Sequence, residues 1–183
     1  MTGIKVNAVS PGFTKTNLNN YAGTETVALS QGFVALVDDA DYDQLSAFKS
    51  SATKTNTNVH GVRKVRTSSG RTTSQLLHRV IMGVTHPKID VDHEDHNGLN
   101  CQRSNLRLCV RGENNGNTRK TRGVSQFKGV SWDSNRGLWR AHITIRRHQD
   151  FWGDFATDAA CAYDAAARAN FGEFANTNFP LQE

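Results

Sequence analysis

The 183-residue sequence has no long apolar run, since no stretch approaches the roughly 18 to 20 residues of a membrane-spanning helix. A membrane protein is therefore not expected. The three cysteines, Cys101, Cys109 and Cys161, form no CxxC pair, which argues against a disulfide scaffold or a four-cysteine zinc knuckle. The first residues lack a basic leader followed by an apolar block. We expect an intracellular protein, in the cytoplasm of a bacterial or phage-infected host, with a nuclear location as the alternative.

The sequence also has few hydrophobic residues for its length. Hydrophobic residues make up 37% of the chain and charged residues 21%. A single deep core needs a larger apolar share. We therefore expect two small, sheet-rich modules with modest cores, in the α+β class.

Positive charge is concentrated in one stretch. The whole chain carries +5, but between Cys101 and Arg147 eleven basic residues face only two acidic ones. Such a stretch indicates a polyanionic partner, and the competing interpretation is a solvated basic face. Three aromatic residues, Trp132, Trp139 and Phe151, lie within or just beyond the stretch and favour nucleic acid.

Residues 1–26 look foreign to the rest of the chain, and we predict that they are poorly ordered. The run from Gly3 to Thr16, with its Pro-Gly turn, resembles the late strand of short-chain dehydrogenases over about 18 residues. That family's glycine-rich nucleotide loop and its Tyr-x-x-x-Lys pair are both missing. An oxidoreductase, and with it a nucleotide cofactor, is not expected.

Residues 27–120 have a coherent pattern. A β-branched run over 31–38 predicts a strand, and the acids after Asp38 predict a short helix start. The segments 59–66 and 72–78 flank a Ser-Ser-Gly turn and predict a hairpin. A short helix is predicted over 76–82, followed by a strand from Ile89.

Four polar residues after Ile89 form a specific pattern. The pair Asp92-His93 is followed by Asn105, twelve residues after the histidine, and by Asn114, twenty-one residues after it. This spacing resembles that of HNH endonucleases of the homing type, found in phages and mobile elements, over residues 27–120. The resemblance implies a β-β-α-metal module.

The same resemblance implies a role for each residue. His93 would be the general base that activates water, with Asn105 orienting it through its side chain or backbone. Asp92 and Asn114 would supply oxygen ligands to one divalent ion, Mg²⁺ or Mn²⁺. Taken alone, Asp-His pairs are common and Asn-rich turns are usually only turns. His78 could contact phosphate or pack locally, and His96 is expected in a surface loop.

Residues 127–180 form a second module, after a basic linker over 121–126. Three short β segments precede an alanine-rich helix that we expect to be capped by Thr157 and ended by Gly172. The Gly-Val, Ala-Tyr-Asp-x-Ala-Ala and Asn-Phe-Pro runs resemble the APETALA-two/ethylene-response-factor DNA-binding domain. That resemblance implies a three-stranded antiparallel sheet that enters the major groove, with one α-helix packed behind it.

Strand alternation predicts which side chains face DNA. If Trp139, Ala141 and Ile143 turn toward the helix, their neighbours turn outward. Tyr163 is expected in the core. Alternation thus predicts DNA contacts for Arg140, His142, Thr144 and Arg146. The resemblance implies further contacts from Lys128 and Ser131 on the first strand. Trp132 could stack on a sugar and contact DNA, or pack at the sheet edge.

The sequence therefore predicts a metal-dependent DNA endonuclease that hydrolyses phosphodiester bonds and is targeted by its C-terminal sheet to double-stranded DNA. The alternative is a DNA-binding transcription regulator with a vestigial nuclease module. Retention of Asp92, His93, Asn105 and Asn114 favours the enzyme, because a degenerate nuclease is expected to lose one of the four first.

Overall fold

The computed structural model describes residues 23–119, 123–144 and 148–180. The chain divides into two compact units, Met1–Leu108 and Cys109–Glu183. The division comes upstream of the linker predicted over 121–126. The described residues form several small antiparallel sheets and a few helices, which confirms the α+β class.

The first unit contains a two-stranded sheet (β1 with β2), a three-stranded sheet in the order β3-β4-β5, and the pair β6 with β7, whose second strand crosses the unit boundary. The 3₁₀ turns are Ser30–Gly32 and Arg103–Asn105. The elements are β1 (Thr24–Ala28), β2 (Val34–Asp38), α1 (Asp39–Ser46), β3 (Ser50–Lys54), β4 (Val59–Arg66), β5 (Thr72–Leu76), α2 (Leu77–Ile81), β6 (Ile89–His93) and β7 (Leu106–Val110).

The predicted hairpin is confirmed as β4 and β5, and the two predicted short helices are α1 and α2. Two strands were missed. β3 is the polar run Ser50–Lys54, which carries no hydrophobic alternation. β1 pairs Thr24 with Asp38 and Ala28 with Val34, so the segment predicted over residues 1–26 overlaps the folded unit by three residues. The rest of that prediction lies outside the described residues.

An ion pair between a buried aspartate and an exposed arginine connects α1 to the 3₁₀ turn that precedes β7. Arg103 donates from Nε to Asp41 Oδ2 at 2.7 Å and from its NH2 nitrogen to Oδ1 at 2.8 Å. A bidentate pair of this kind fixes orientation as well as distance. It therefore sets the position of the turn that carries Asn105. The apolar core of the first unit consists of Val27, Leu29, Ala35, Val37, Leu45, Leu77, Ile81, Val91, Cys101 and Leu106.

The second unit contains a helix, an antiparallel sheet in the order β10-β9-β8, and a long helix against that sheet. The predicted sheet with an alanine-rich helix behind it is thus present. Its core consists of Val130, Ala141, Ile143, Ala159, Ala160, Tyr163 and Ala167. The elements are α3 (Arg111–Gly116), β8 (Val130–Asp133), β9 (Leu138–Thr144), β10 (His148–Gly153) and α4 (Ala156–Phe171).

The ends of α4 agree only in part with those predicted from the sequence. Gly172 ends the helix with a φ of 53°, as predicted. The predicted cap Thr157 is wrong, because the N-cap position belongs to Phe155 and Thr157 lies inside the first turn. Among the described residues, no side chain caps this helix end. Helix formation here therefore depends on packing of the alanine face rather than on a capping bond.

Close packing of the sheet on α4 requires glycine at position 129. Gly129 has a φ of +72°, and a Cβ at this position would collide with the ring of Tyr163. Tyr163 is buried, as the sequence predicted for a core residue. Gly129 thus lets the chain enter β8 directly over an aromatic ring.

A buried carboxylate holds the C-terminal segment against α4. Asp164 is 1% exposed and accepts three hydrogen bonds, from Asn178 N at 2.8 Å, Asn178 Nδ2 at 3.0 Å and Phe179 N at 2.8 Å. Asn178 in turn accepts a bond from Lys128 N at 2.6 Å. One aspartate therefore connects the helix, the tail and the start of the sheet.

We expect Asp164→Ala to lower the free energy of unfolding of the second unit by about 3 kcal/mol or more, because buried N–H donors lose a charged acceptor. Denaturant unfolding measures the loss. The control is Asp158→Ala, an exposed acid in the first turn of the same helix, which should cost no more than about 1 kcal/mol. Equal losses for the two variants would contradict the role given to Asp164.

Candidate active site and nucleic-acid interface

β6 carries the Asp-His pair to its C-terminal end. Val91, Asp92 and His93 are all buried, and the two polar side chains are 6% and 5% exposed. Polar groups at this depth need partners or a chemical role. The surroundings of the pair therefore decide what it can do.

Asp92 is paired with a cation from the neighbouring strand. Arg107, on β7, donates to Asp92 Oδ2 from Nε at 2.9 Å and from its NH2 nitrogen at 2.8 Å. The guanidinium balances the buried carboxylate. The sequence had assigned Arg107 no role, and no local pattern distinguishes it from other basic residues of the stretch.

Asn105 holds the loop that follows His93. Its Oδ1 accepts from Asp95 N at 3.0 Å, and its Nδ2 donates to Asp95 Oδ1 at 3.0 Å and to Asn100 O at 2.8 Å. Its backbone carbonyl accepts from Glu94 N at 3.0 Å. These contacts fix the chain immediately after the imidazole. The predicted orientation of His93 by Asn105 can thus operate through the loop.

A second asparagine closes the same loop from β4's side. Asn58 donates from Nδ2 to His96 O at 2.8 Å and accepts from Gly98 N at 3.1 Å. His96 lies in the loop, where the sequence placed it, with a φ of 64°. A Cβ on Gly98 would collide with the ring of His60, so the loop backbone packs directly on that imidazole.

Three imidazoles from three elements meet beside this loop. His60 comes from β4, His78 from α2 and His93 from β6, and one ligating nitrogen of each lies within 4.8 Å of the others. The ring centroids are 5.6 Å apart for His60–His78, 5.6 Å for His60–His93 and 4.8 Å for His78–His93. We call this group the histidine cluster. For His78, the structure favours local packing over an exposed phosphate contact.

The surroundings lower the pKa of all three rings and so disfavour their protonated form. Burial is the main cause of a pKa of about 3 for His78 and about 4 for His93. Neighbouring imidazoles lower both further, whereas Asp95 and Asp92 act in the opposite direction on His93. Burial also lowers the pKa of His60. A neutral imidazole has a lone pair available for a proton or a metal ion.

Asn114 is half-buried on α3, within the second unit, and its predicted approach to Asp92 stays a prediction. The helix is short and contains Gly112 and Gly116. Glu113 accepts from Val110 N at 2.8 Å at its start. Phe171 of α4 packs against Gly116 so closely that a Cβ would not fit. These contacts offset the weak helix propensity of the segment.

The side chain of Lys128 binds backbone carbonyls of its own unit, whereas a DNA contact was predicted for it. Its ammonium donates to the carbonyls of Gly116 at 2.6 Å and Asn176 at 3.2 Å and lies 5.7 Å from the centroid of Tyr163. Burial lowers its pKa to about 8. Lys128 thus anchors the end of α3, because its long stem reaches inward from the start of the sheet.

The side chains predicted to face outward from β9 do so as far as Thr144, where the described part of the strand ends. Arg140 contacts His142 at 3.2 Å, and His142 contacts Thr144 at 3.1 Å. Ser131 is paired opposite Arg140 and is exposed. Cross-strand partners share a face, so these four residues form one polar surface. Arg146 lies outside the described residues.

Trp139 faces α4 as predicted, and Trp132 and Trp152 lie on opposite faces of the sheet. Trp132 is paired opposite Trp139, with ring centroids 5.3 Å apart, so it belongs to the α4 side of the sheet although it is 49% exposed. Trp152, opposite Arg140, lies on the outward face instead. The guanidiniums of Arg136 and Arg140 lie 4.3 and 5.8 Å from its centroid. Alternation along β10 would have identified Trp152.

Comparison with known proteins finds a partial likeness. The chain is 38% identical over 60 residues to Protein 3.8 of Escherichia phage T7, which covers 32% of this chain and 50% of that protein. The chain thus spans about half the length of this curated relative. No family model matches the chain, and no solved structure matches it. None of the helices in the described ranges is long and apolar enough to cross a membrane.

Proposed function

We propose that this protein is a metal-dependent DNA endonuclease of the HNH homing type, in which a β-β-α-metal module hydrolyses phosphodiester bonds and the C-terminal sheet binds duplex DNA. One observation carries the proposal. A buried, neutral His93 stands beside a buried Asp92 at the end of β6, and Asn105 fixes the loop that follows. These three residues also match the HNH spacing.

In this function His93 is the general base. Its neutral ring accepts a proton from the water that attacks phosphorus. Asn105 acts as a positioning residue, because its bonds to Asp95, Asn100 and Glu94 hold the chain that leaves His93. A fixed base contributes more than a mobile one, since less motion must be frozen in the transition state.

The proposed ligands of one hard divalent ion are Asp92 and Asn114. Asp92 offers a carboxylate and Asn114 an amide oxygen, and oxygen donors suit Mg²⁺ or Mn²⁺. Arg107 also contacts Asp92 Oδ2, so a metal ion at that carboxylate would compete with the guanidinium. When bound, the ion would stabilise charge on the phosphate and the leaving oxygen.

The DNA-binding surface in this proposal is the outward face of the C-terminal sheet. Arg140, His142, Thr144 and Ser131 form its polar part, and Trp152 with Arg136 extends it. Guanidinium groups contact phosphates or guanine edges, and hydroxyl groups contact phosphates or bases. Arg146 remains a predicted member of the same surface.

Arg140→Ala is expected to weaken DNA binding and to lower the slope of log affinity against log salt by about 0.9, the value for one lost phosphate contact. Fluorescence anisotropy with a labelled duplex at several salt concentrations measures both. Lys54→Ala, an exposed lysine in the first unit, is the charge-matched control. An unchanged slope for Arg140→Ala would move the DNA surface elsewhere, for instance to the basic stretch around Arg119.

The alternative function is a DNA-binding regulator with a vestigial nuclease. The observation in its favour is the Arg107–Asp92 pair, which satisfies the carboxylate without any metal ion. In that case Asp92 has a structural role only. Both functions share the DNA surface and differ in whether DNA is cut.

Binding and cutting by the full-length chain in Mg²⁺ separate the two functions. We expect a gel shift of duplex DNA at low temperature and nicked or linear products from a supercoiled plasmid on warming. A gel shift without any cleavage product would favour the regulator. The likeness to a phage protein supports placing either activity in the cytoplasm of a phage-infected bacterium.

A further inference from the structure

The histidine cluster has the composition of a transition-metal site. It combines three imidazoles, and no carboxylate belongs to the group. Imidazole nitrogen suits Zn²⁺ and its neighbours in the first transition row, whereas Mg²⁺ prefers oxygen. Three histidines with one open position is an established form of zinc coordination in proteins.

Two ring nitrogens of the cluster are buried and have no hydrogen-bond partner within the part of the chain that the structure describes. They are His60 Nδ1 and His78 Nδ1, and His78 is 6% exposed. A buried polar atom in this state costs roughly 1 to 3 kcal/mol, so its retention needs an explanation. Coordination of a metal ion would use such lone pairs.

The geometry is close to that of a bound site. The ligating nitrogens lie within 4.8 Å of one another. Zn–N bonds of about 2.0 to 2.1 Å place tetrahedral ligands roughly 3.3 Å apart. Side-chain rotations that move each nitrogen by about 1 Å would bring the three nitrogens to the tetrahedral separation. The three rings come from β4, α2 and β6, so coordination would also join three elements of the first unit.

We propose that His60, His78 and His93 together bind one transition-metal ion of the zinc type, at a site separate from the Mg²⁺ ligands of the proposed nuclease. Zinc would then bind a nitrogen of His93, the imidazole that serves as the general base. Zinc binding should therefore inhibit Mg²⁺-dependent cleavage, and this second consequence rests on the proposed function.

The direct test uses the full-length chain after removal of metal with a chelator and dialysis. Titration with ZnCl₂ in a calorimeter should give one ion per chain, and Zn²⁺ should raise the thermal unfolding temperature. Mg²⁺ at the same concentration should not. Titration with Co²⁺ should give the visible absorption of a tetrahedral nitrogen site. No binding of Zn²⁺ or Co²⁺ by the wild-type chain would overturn the proposal.

Variants assign the ligands. His78→Phe and His60→Phe keep an aromatic ring and remove its nitrogens, so each should weaken Zn²⁺ binding at least about tenfold. His86→Phe changes an exposed histidine of the same unit and should bind like the wild type. Circular dichroism identifies a variant that has failed to fold, and the other variant then decides. Wild-type affinity in a folded His78→Phe or His60→Phe would overturn the assignment.

Cleavage assays distinguish failure of this inference from failure of the proposed function. If the chain cuts DNA, inhibition should follow the same Zn²⁺ concentration dependence as binding. If the chain binds zinc but never cuts, the metal site stands and the nuclease does not. If the chain cuts DNA but binds no zinc, the proposed nuclease function stands and the metal site does not.

Discussion

Replacing His93 by alanine is expected to lower the rate of DNA cleavage by about 10² to 10⁴-fold, the usual contribution of a general base. Affinity for DNA should stay within a few-fold, because the imidazole acts on water rather than on the duplex. Plasmid cleavage under single-turnover conditions measures the rate, and anisotropy measures the affinity.

His86→Ala is the control for this experiment, since it removes an exposed imidazole from the same unit. Trace zinc should be chelated in both assays, because His93 also belongs to the histidine cluster. Cleavage by His93→Ala at the wild-type rate would remove His93 from the mechanism. A large loss in the control as well would point to a general effect on folding.

Asp92→Asn is expected to raise the Mg²⁺ concentration needed for half-maximal cleavage at least about tenfold. The substitution keeps the shape of the side chain and removes its charge, and a loss of about 1.4 kcal/mol in ion binding gives this factor. The amide can still accept a hydrogen bond from Arg107, which limits the structural damage.

The control for Asp92→Asn is Asp90→Asn on the same strand. It changes the same charge two residues away, outside the HNH spacing. A Mg²⁺ titration of plasmid cleavage compares the two variants with the wild type. If both require the same Mg²⁺ concentration as the wild type, Asp92 has only the structural role that its pairing with Arg107 gives it.

The sequence predicted the features that depend on local pattern. Alternating apolar residues identified β9 and the burial of Ala141 and Ile143 against α4. Turn residues identified the hairpin of β4 and β5. Strand alternation and turns are determined by residues close together in the chain, so a single sequence is enough to predict them.

Features that depend on distant parts of the chain were missed. His60 has no spacing relation to His78 or His93 that marks a site. The packing of α2 against β4 and against β6 brings the rings together. Lys128 was read as a DNA contact, but the carbonyls of Gly116 and Asn176 attract its ammonium inward. A long flexible cation can point either way, and the sequence does not say which.

The dependence of cleavage on a divalent ion tests the central claim most directly. The full-length wild-type chain, freed of metal with EDTA, is incubated with supercoiled plasmid, and Mg²⁺ is then added in excess. We predict that the plasmid stays supercoiled in EDTA and becomes nicked or linear after Mg²⁺ is restored. Cleavage that persists in EDTA, or no cleavage after Mg²⁺ is restored, would contradict the proposed metal-dependent nuclease.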